Sequence, residues 1–180
     1  TSLDLGKKIN FQKGIASSYS SMGVIYRNQG NYDKALENYF AALKIREEIG
    51  DKDGISTSYN NIGIVYYNQG NYDKALENLL ASLKLRIEIG DKEDIASSYN
   101  NIGLIYKEQG NYDKALENLF ASLKIKQEIG QTSDEAYGNT YNNLGFIYRE
   151  QAKEIIKSGG SDSSLFNKAL ENHFTSLKIR

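Results

Sequence analysis

The chain has 180 residues, 39% of them apolar, and 22 Lys and Arg against 23 Asp and Glu, a formal net charge of −1. That is the composition of one ordinary globular domain, and the charge balance offers no footprint for a phosphate backbone or an anionic membrane surface, so no nucleic acid partner is expected. No apolar run approaches the roughly 20 residues that cross a bilayer, so no membrane insertion is expected, and zero Cys with a single His excludes disulfides, thiolate nucleophiles and Cys- or His-rich metal sites. No cofactor, no metal and no enzyme activity are expected from what remains. Zero Pro, where ordinary usage of about 5% would give roughly nine, favours uninterrupted helix.

The nine-residue string from Gly30 to Asn38 recurs from Gly70 and from Gly110, a period of 40. A period in the range of 20 to 50 residues decides the architecture before any local reading does. In chain order, Leu3, Leu5 and Ile9 align at the same offset with Leu43, Ile45 and Ile49. Residues 1–10 therefore read as the tail of a preceding second helix, and the chain as a piece of a longer protein. Repeats follow at 11–50, 51–90 and 91–130, and a fourth spans 131–180.

The second repeat is the clearest. Ile55, Tyr59, Ile62, Gly63 and Tyr66, then Tyr72, Ala75, Leu76, Leu79, Leu80, Leu83 and Ile87, are spaced by threes and fours, the helical period. Between the two sets, Gly70 suits a left-handed helix end and Asn71 suits an N-cap. Gly90 and Asp91 repeat that punctuation, so the repeat predicts two antiparallel helices at about 52–69 and 72–89. Gly63 lets the pair approach closely, and Tyr59, Tyr66 and Tyr72 supply large packing faces. In the fourth repeat, Gln151 to Lys168 exceeds its counterpart Gln109 to Lys114 by twelve residues. Residues 152–157 read as continuing helix and 158–164 as a loop, with Asp162 or Ser163 capping the next helix. His173 falls where other repeats have Tyr39, Leu79 and Leu119, a packing position facing the partner helix. Asp33, Lys34 and Glu37 and their copies read as a solvated face with weak ion pairs.

The set Tyr59, Ile62, Gly63, Tyr66, Gly70, Tyr72, Ala75, Leu79 and Ser82 resembles the tetratricopeptide repeat signature, and the match recurs from Tyr19, Tyr99 and, in broken form, Tyr141. The sequence departs from that signature in its 40-residue repeat, in Tyr for the first Trp, and in having Glu47, Ile87 and Gln127 near the place of the family's Pro. Without that Pro the second helix can run about a turn further, to Gly50, Gly90 or Gly130. Longer repeats of this kind are similar to those of kinesin light chains, spindle-orientation adaptors and bacterial sensor proteins, all of them interaction modules. The resemblance implies an all-α solenoid of antiparallel helix pairs wound as a right-handed superhelix.

It also implies a concave face lined by the first helix of each repeat, and therefore a protein or peptide ligand there. Carried onto this chain, that face receives Asn60, Asn61, Asn100, Asn101, Asn142 and Asn143, with Ser20 and Ser21 in the first repeat. An amide donates and accepts, so it can pair with the backbone of an extended peptide of any sequence. Neighbouring first helices lie roughly 10 Å apart, so the ladder would grip about every third residue of that peptide. Only one of each adjacent pair can point squarely into a groove, and the other is free to bond the neighbouring repeat. Val24, Ile64, Leu104 and Phe146 add an apolar strip, and Arg27, Tyr67, Lys107 and Arg149 follow with Asn28, Asn68, Glu108 and Glu150 beside them. That second row suits a ligand with mixed polar or acidic side chains and equally suits a solvated rim. The clamp by which tetratricopeptide cochaperones hold C-terminal carboxylates is not expected, because its positions read Ser20, Val24, Asn61, Ser97 and Asn101, without the cations two carboxylates need.

Two other functions fit the same repeats. One is a structural or assembly element, monomeric or weakly self-associating end to end; the other is the sensor region of a bacterial signalling protein. The lack of Cys does not fix the compartment. A cytoplasmic location is preferred, and a periplasmic one goes with the sensor reading.

Overall fold

A computed structural model describes residues 2–132 and 135–179, with side chains from Leu5 onward and that of Ala136 excepted. Eight helices lie among the described residues: α1 (Ser2–Asn28), α2 (Tyr32–Glu48), α3 (Lys52–Asn68), α4 (Tyr72–Ile89), α5 (Lys92–Glu108), α6 (Tyr112–Glu128), α7 (Glu135–Lys157) and α8 (Ser163–Ile179). Consecutive helices pair as α1 with α2, α3 with α4, α5 with α6 and α7 with α8. Each pair is one repeat, and the architecture is the all-α solenoid that the 40-residue period implies.

The punctuation is that of the sequence. Asn31, Asn71 and Asn111 each accept the backbone N–H three residues on at 3.3 Å, which meets one of the four donors a helix start leaves open. Gly70 takes φ +73°, and Gly70 and Asn71 donate to the carbonyls of Tyr67 and Tyr66 at 2.9 Å each, closing the end of α3 by the left-handed turn that glycine adopts without strain. The second helices do run on to Glu48, Ile89 and Glu128. Within each repeat the signature glycine sets the approach of the two helices: a Cβ on Gly63 would lie 2.9 Å from Leu79 Cγ and 3.2 Å from the Ala75 carbonyl.

The chain forms two compact units, Thr1–Gly90 and Asp91–Arg180. In the first, Ala35, Tyr39 and Leu43 of α2 pack against Ile62 and Val65 of α3. In the second, Ala115, Leu119 and Leu123 of α6 pack against Tyr137, Leu144 and Ile147 of α7. One repeat's second helix and the next repeat's first helix therefore share each core. A buried polar latch accompanies the apolar one in the first unit: Arg46 Nη1 donates to the Gly54 carbonyl at 3.1 Å and to Ser58 Oγ at 2.7 Å. Burial lowers the Arg46 pKa from its ordinary value, while Asp51 and Asp53 act to raise it.

Three features differ in detail from the sequence reading. α1 runs unbroken through residues 10 and 11, so the stretch read as the tail of a preceding helix is continuous with the first helix of the first repeat. No glycine at positive φ stands there, whereas Gly50 at φ +69° breaks the chain at the matching place between α2 and α3. The lysines read as solvated are not idle. Lys34, Lys74, Lys114 and Lys168 each sit 5.2 to 5.5 Å from the ring centroid of Tyr26, Tyr66, Tyr106 and Tyr148, tying the start of each second helix to its first helix with about 0.5–1 kcal/mol apiece. After α7, which continues to Lys157, α8 already begins at Ser163, so residues 163 and 164, read as loop, are helical, and Asp162 Oδ1 accepts the Ser164 backbone N–H at 2.9 Å. The Leu3 side chain, used in aligning the repeats, lies outside the described residues.

Candidate functional site

The first helices carry the candidate residues on one face because Asn60, Ile64 and Tyr67 follow at steps of four and three, as do Asn100, Leu104 and Lys107, and Asn142, Phe146 and Arg149. In the first unit, Asn60, Asn61, Ile64 and Tyr67 of α3 are all half-buried. The Tyr67 ring tilts at 49° against Tyr72 of α4, with centroids 6.0 Å apart. On α1, Arg27 Nη2 donates to Asn28 Oδ1 at 3.4 Å, and Val24 packs at the edge of the α2–α3 core.

The second unit gathers a denser cluster, where α5 meets α7. Lys107 Nζ donates to Asn143 Oδ1 at 3.4 Å and pairs with Glu108 at 3.2 Å. The Phe146 ring has two cations over it, Lys107 Nζ at 5.1 Å and Arg149 Cζ at 4.9 Å from its centroid. Arg149 and Lys153 in turn hold Glu150, at 3.2 and 2.9 Å. The hydrogen bond from Lys153, joined by that from Arg149, keeps the Glu150 carboxyl below its ordinary pKa. Lys107, Asn143, Phe146 and Arg149 thus lie together, a cation pair on an aromatic ring beside an amide.

Other members of the Asn rows turn to the protein. Asn100 Oδ1 accepts from Thr140 Oγ1 of α7 at 3.0 Å, and Asn142 Oδ1 bonds His173 Nδ1 of α8 at 2.9 Å. His173, half-buried, occupies the packing position expected of it. Each of these amides is the first of its adjacent pair; Asn100 is half-buried and Asn142 exposed. Leu104 of α5 is half-buried.

Sequence reasoning passed over several groups. Gln127 Nε2 donates to the Tyr137 hydroxyl at 2.9 Å, and Tyr137 stands edge-on to Tyr141 with centroids 5.2 Å apart. Burial, then the Tyr137 hydroxyl, pushes the Tyr141 phenol up to about 12. The signal was the two-residue shift of the fourth repeat, which puts Tyr137 where the third has Ile95. Arg46, Arg86 and Lys126 are buried and recur at the 40-residue period on a face otherwise apolar, a pattern legible in the sequence. The turns that open the second helices border polar clefts of about 500 Å³ at Asn31, Asp33 and Gln69 and about 480 Å³ at Asn111, Asp113, Gln151 and Glu154. None of the candidate residues of the first-helix faces lines either cleft.

Among the described residues, no helix is long and apolar enough to cross a membrane. The family model for the tetratricopeptide repeat matches residues 14–88 and 94–154. No curated protein matches the chain. Among solved structures, BtubC (BKLC) from P. vanneervenii is 26% identical and superposes with a TM-score of 0.76 over 92% of this chain and 63% of its own. The apo form of RapI is 21% identical, with a TM-score of 0.77 over 93% of this chain and 43% of its own, a likeness of fold alone. The chain thus spans less than two thirds of either protein.

Proposed function

The chain belongs to the tetratricopeptide repeat family, a family of protein-interaction modules that is generally non-enzymatic, and from that premise we propose that its first-helix faces bind an extended segment of a partner protein. In the second unit, Asn101 and Asn143 pair with the segment's backbone, Leu104 and Phe146 take an apolar side chain, and Lys107 and Arg149 flank it. In the first unit, Asn61, Ile64 and Tyr67 play the corresponding part. Asn100 and Asn142 bond Thr140 and His173 of the neighbouring helices.

The observation that carries this reading is the cluster of Lys107, Asn143, Phe146 and Arg149. Phe146, Asn143 and Lys107 are half-buried and Arg149 is exposed on the α5 and α7 faces, the mixture of apolar anchor and adaptable polar groups that marks recognition surfaces.

The test is an array of peptides 10 to 15 residues long, probed with the parent chain and with the triple variant Asn61→Ala, Asn101→Ala and Asn143→Ala. The expected result is a set of peptides captured by the parent and lost by the variant, while circular dichroism shows the same helix content in both. Capture that is indifferent to the three substitutions contradicts the assignment.

A further inference from the structure

The inserted stretch of the fourth repeat plays no part in the proposed peptide face, and it alters a cleft that the regular repeats already have. In the first unit that cleft, of about 500 Å³, is lined by the turn Gly30 to Asp33 and by Gln69, and Asp33 is the one carboxylate among its lining residues. α3 stops at Asn68, with Gln69 as its cap. In the second unit Gln151 stands at the place of Gln69, but α7 continues to Lys157. The continuation adds Glu154, so the cleft of about 480 Å³ there has two carboxylates, Asp113 and Glu154. A further cleft of about 380 Å³ shares Gln151 and Glu154 with it and adds Ile155 of α7 and Leu165 of α8. The end of the continuation is fixed, because Gly159, at φ +84°, and Gly160 donate to the carbonyls of Ile156 and Ile155 at 3.0 and 2.9 Å.

We propose that these two adjoining clefts bind an arginine side chain of a partner protein, its guanidinium held by Asp113 and Glu154 and its aliphatic stem lying along Ile155 and Leu165. The cations of the neighbourhood are engaged elsewhere: Lys107 pairs with Glu108, Arg149 and Lys153 hold Glu150, and Lys114 sits over the Tyr106 ring. Asp113 accepts from Gln151 Nε2 at 3.5 Å, the outer limit of a hydrogen bond, and Glu154 has no ion pair among the described residues. The negative field extends to Tyr112 in the same cleft, whose pKa is raised by burial first and then by Glu154, Glu150 and Glu108. A guanidinium presents five donors in one plane and is more weakly hydrated than an ammonium, which suits it to two carboxylates with an amide beside them. Long cationic side chains lay their stems on apolar surface while the charged head stays with polar partners, and Ile155 and Leu165, both half-buried, supply that surface next to Glu154. The first-unit cleft, with Asp33 alone, lacks the second carboxylate and serves as the internal comparison.

The experiment follows the backbone amide signals of the isotope-labelled chain by NMR during titration with a capped pentapeptide that has arginine at its centre and alanine elsewhere. A second peptide carries citrulline in place of arginine, which keeps the stem and removes the charge. The arginine peptide is expected to shift the signals of Asp113, Gln151 and Glu154, with smaller shifts at Asp33 and Gln69, and the citrulline peptide to leave all of them in place. Glu154→Gln alters an exposed side chain and should weaken the arginine peptide about two- to fivefold, the weight of one exposed ion pair, with helix content unchanged by circular dichroism. Glu77→Gln, at an exposed position of α4, should leave the affinity as in the parent. Equal shifts with the two peptides overturn the proposal, as do shifts as large at Asp33 as at Asp113, or an affinity that Glu154→Gln leaves unchanged. An arginine peptide that moves none of these signals at about 10 mM, beyond the scale of the weakest specific associations, overturns it as well. The outcome is independent of the peptide reading, because neither variant touches the Asn rows.

Discussion

Glycine in this chain has opposite meanings at different positions, and the space around each one decides which applies. At Gly63 a Cβ would press on Leu79 Cγ at 2.9 Å and on the Ala75 carbonyl at 3.2 Å. Leu79 is buried and the carbonyl is backbone, so neither can yield cheaply. Gly63→Ala is therefore expected to cost about 1–3 kcal/mol by overpacking. Gly14, inside α1, has nothing within 4 Å, and Gly14→Ala is expected to stabilise by about 0.5–1 kcal/mol through helix propensity and reduced freedom of the unfolded chain. Urea unfolding of both variants checks the pair, and equal effects of one sign would contradict it. Gly63 was legible in the sequence because its spacing within the repeat fixed its role. The engagement of Asn100 with Thr140 and of Asn142 with His173 was not, because helical periodicity places both members of an adjacent pair near the same face and only the neighbouring helix decides between them.

At the scale of the helix, polar contacts hold the repeats in register alongside the apolar joint cores. The Arg46 guanidinium crosses from α2 to α3 while buried, and its two acceptors would be left without it in a truncation. Arg46→Ala is expected to cost about 2–4 kcal/mol, since losing a buried charged donor adds the desolvation of its stranded partners to the lost bonds. Asn71→Ala, which removes the acceptor for the Lys74 backbone N–H, should cost about 1 kcal/mol, and Asn71→Asp close to nothing. Denaturant midpoints for the three variants should fall in that order, with Arg46→Ala lowest. The caps were legible because Gly and Asn in succession state a helix end and a helix start in two residues. The continuity of α1 was not, because an alignment by period reports resemblance to α2 at residues 3, 5 and 9, while the absence of a turn-forming residue between 10 and 11 decides the backbone.

Across the whole molecule, burial acts on tyrosines in both compact units. Tyr39, Tyr59, Tyr112, Tyr141 and Tyr148 all have pKa values raised above the ordinary 10, with burial the largest cause in every case, and Tyr141 reaches about 12. A raised phenol pKa means that the folded chain keeps protons the unfolded chain releases. The stability these groups confer is complete below about pH 10 and is lost as pH rises through the folded values. The thermal midpoint, followed by circular dichroism, should hold level from pH 8 to about 9.5 and fall steadily above that. Tyr141→Phe should soften the fall, and a midpoint constant to pH 11 would contradict the account. The fold class and family were legible at this scale because four copies of one pattern reinforce each other. The clustering of Lys107, Asn143, Phe146 and Arg149 was legible only as separate rows, since it depends on how closely α5 and α7 approach.

In the proposed function, the second Asn of each pair, beside Ile64, Leu104 or Phe146, receives a partner's extended segment. Calorimetric titration of the tightest peptide from the array tests it most directly, with three proteins side by side: the parent, the Asn61→Ala, Asn101→Ala, Asn143→Ala variant, and a control carrying Phe40→Ser and Phe120→Ser on exposed positions of α2 and α6. With roughly 0.5–1.5 kcal/mol lost for each amide, the triple variant should bind at least about tenfold more weakly, and the control should match the parent. A peptide held as tightly by the triple variant as by the parent, or released by the control instead, would contradict the claim.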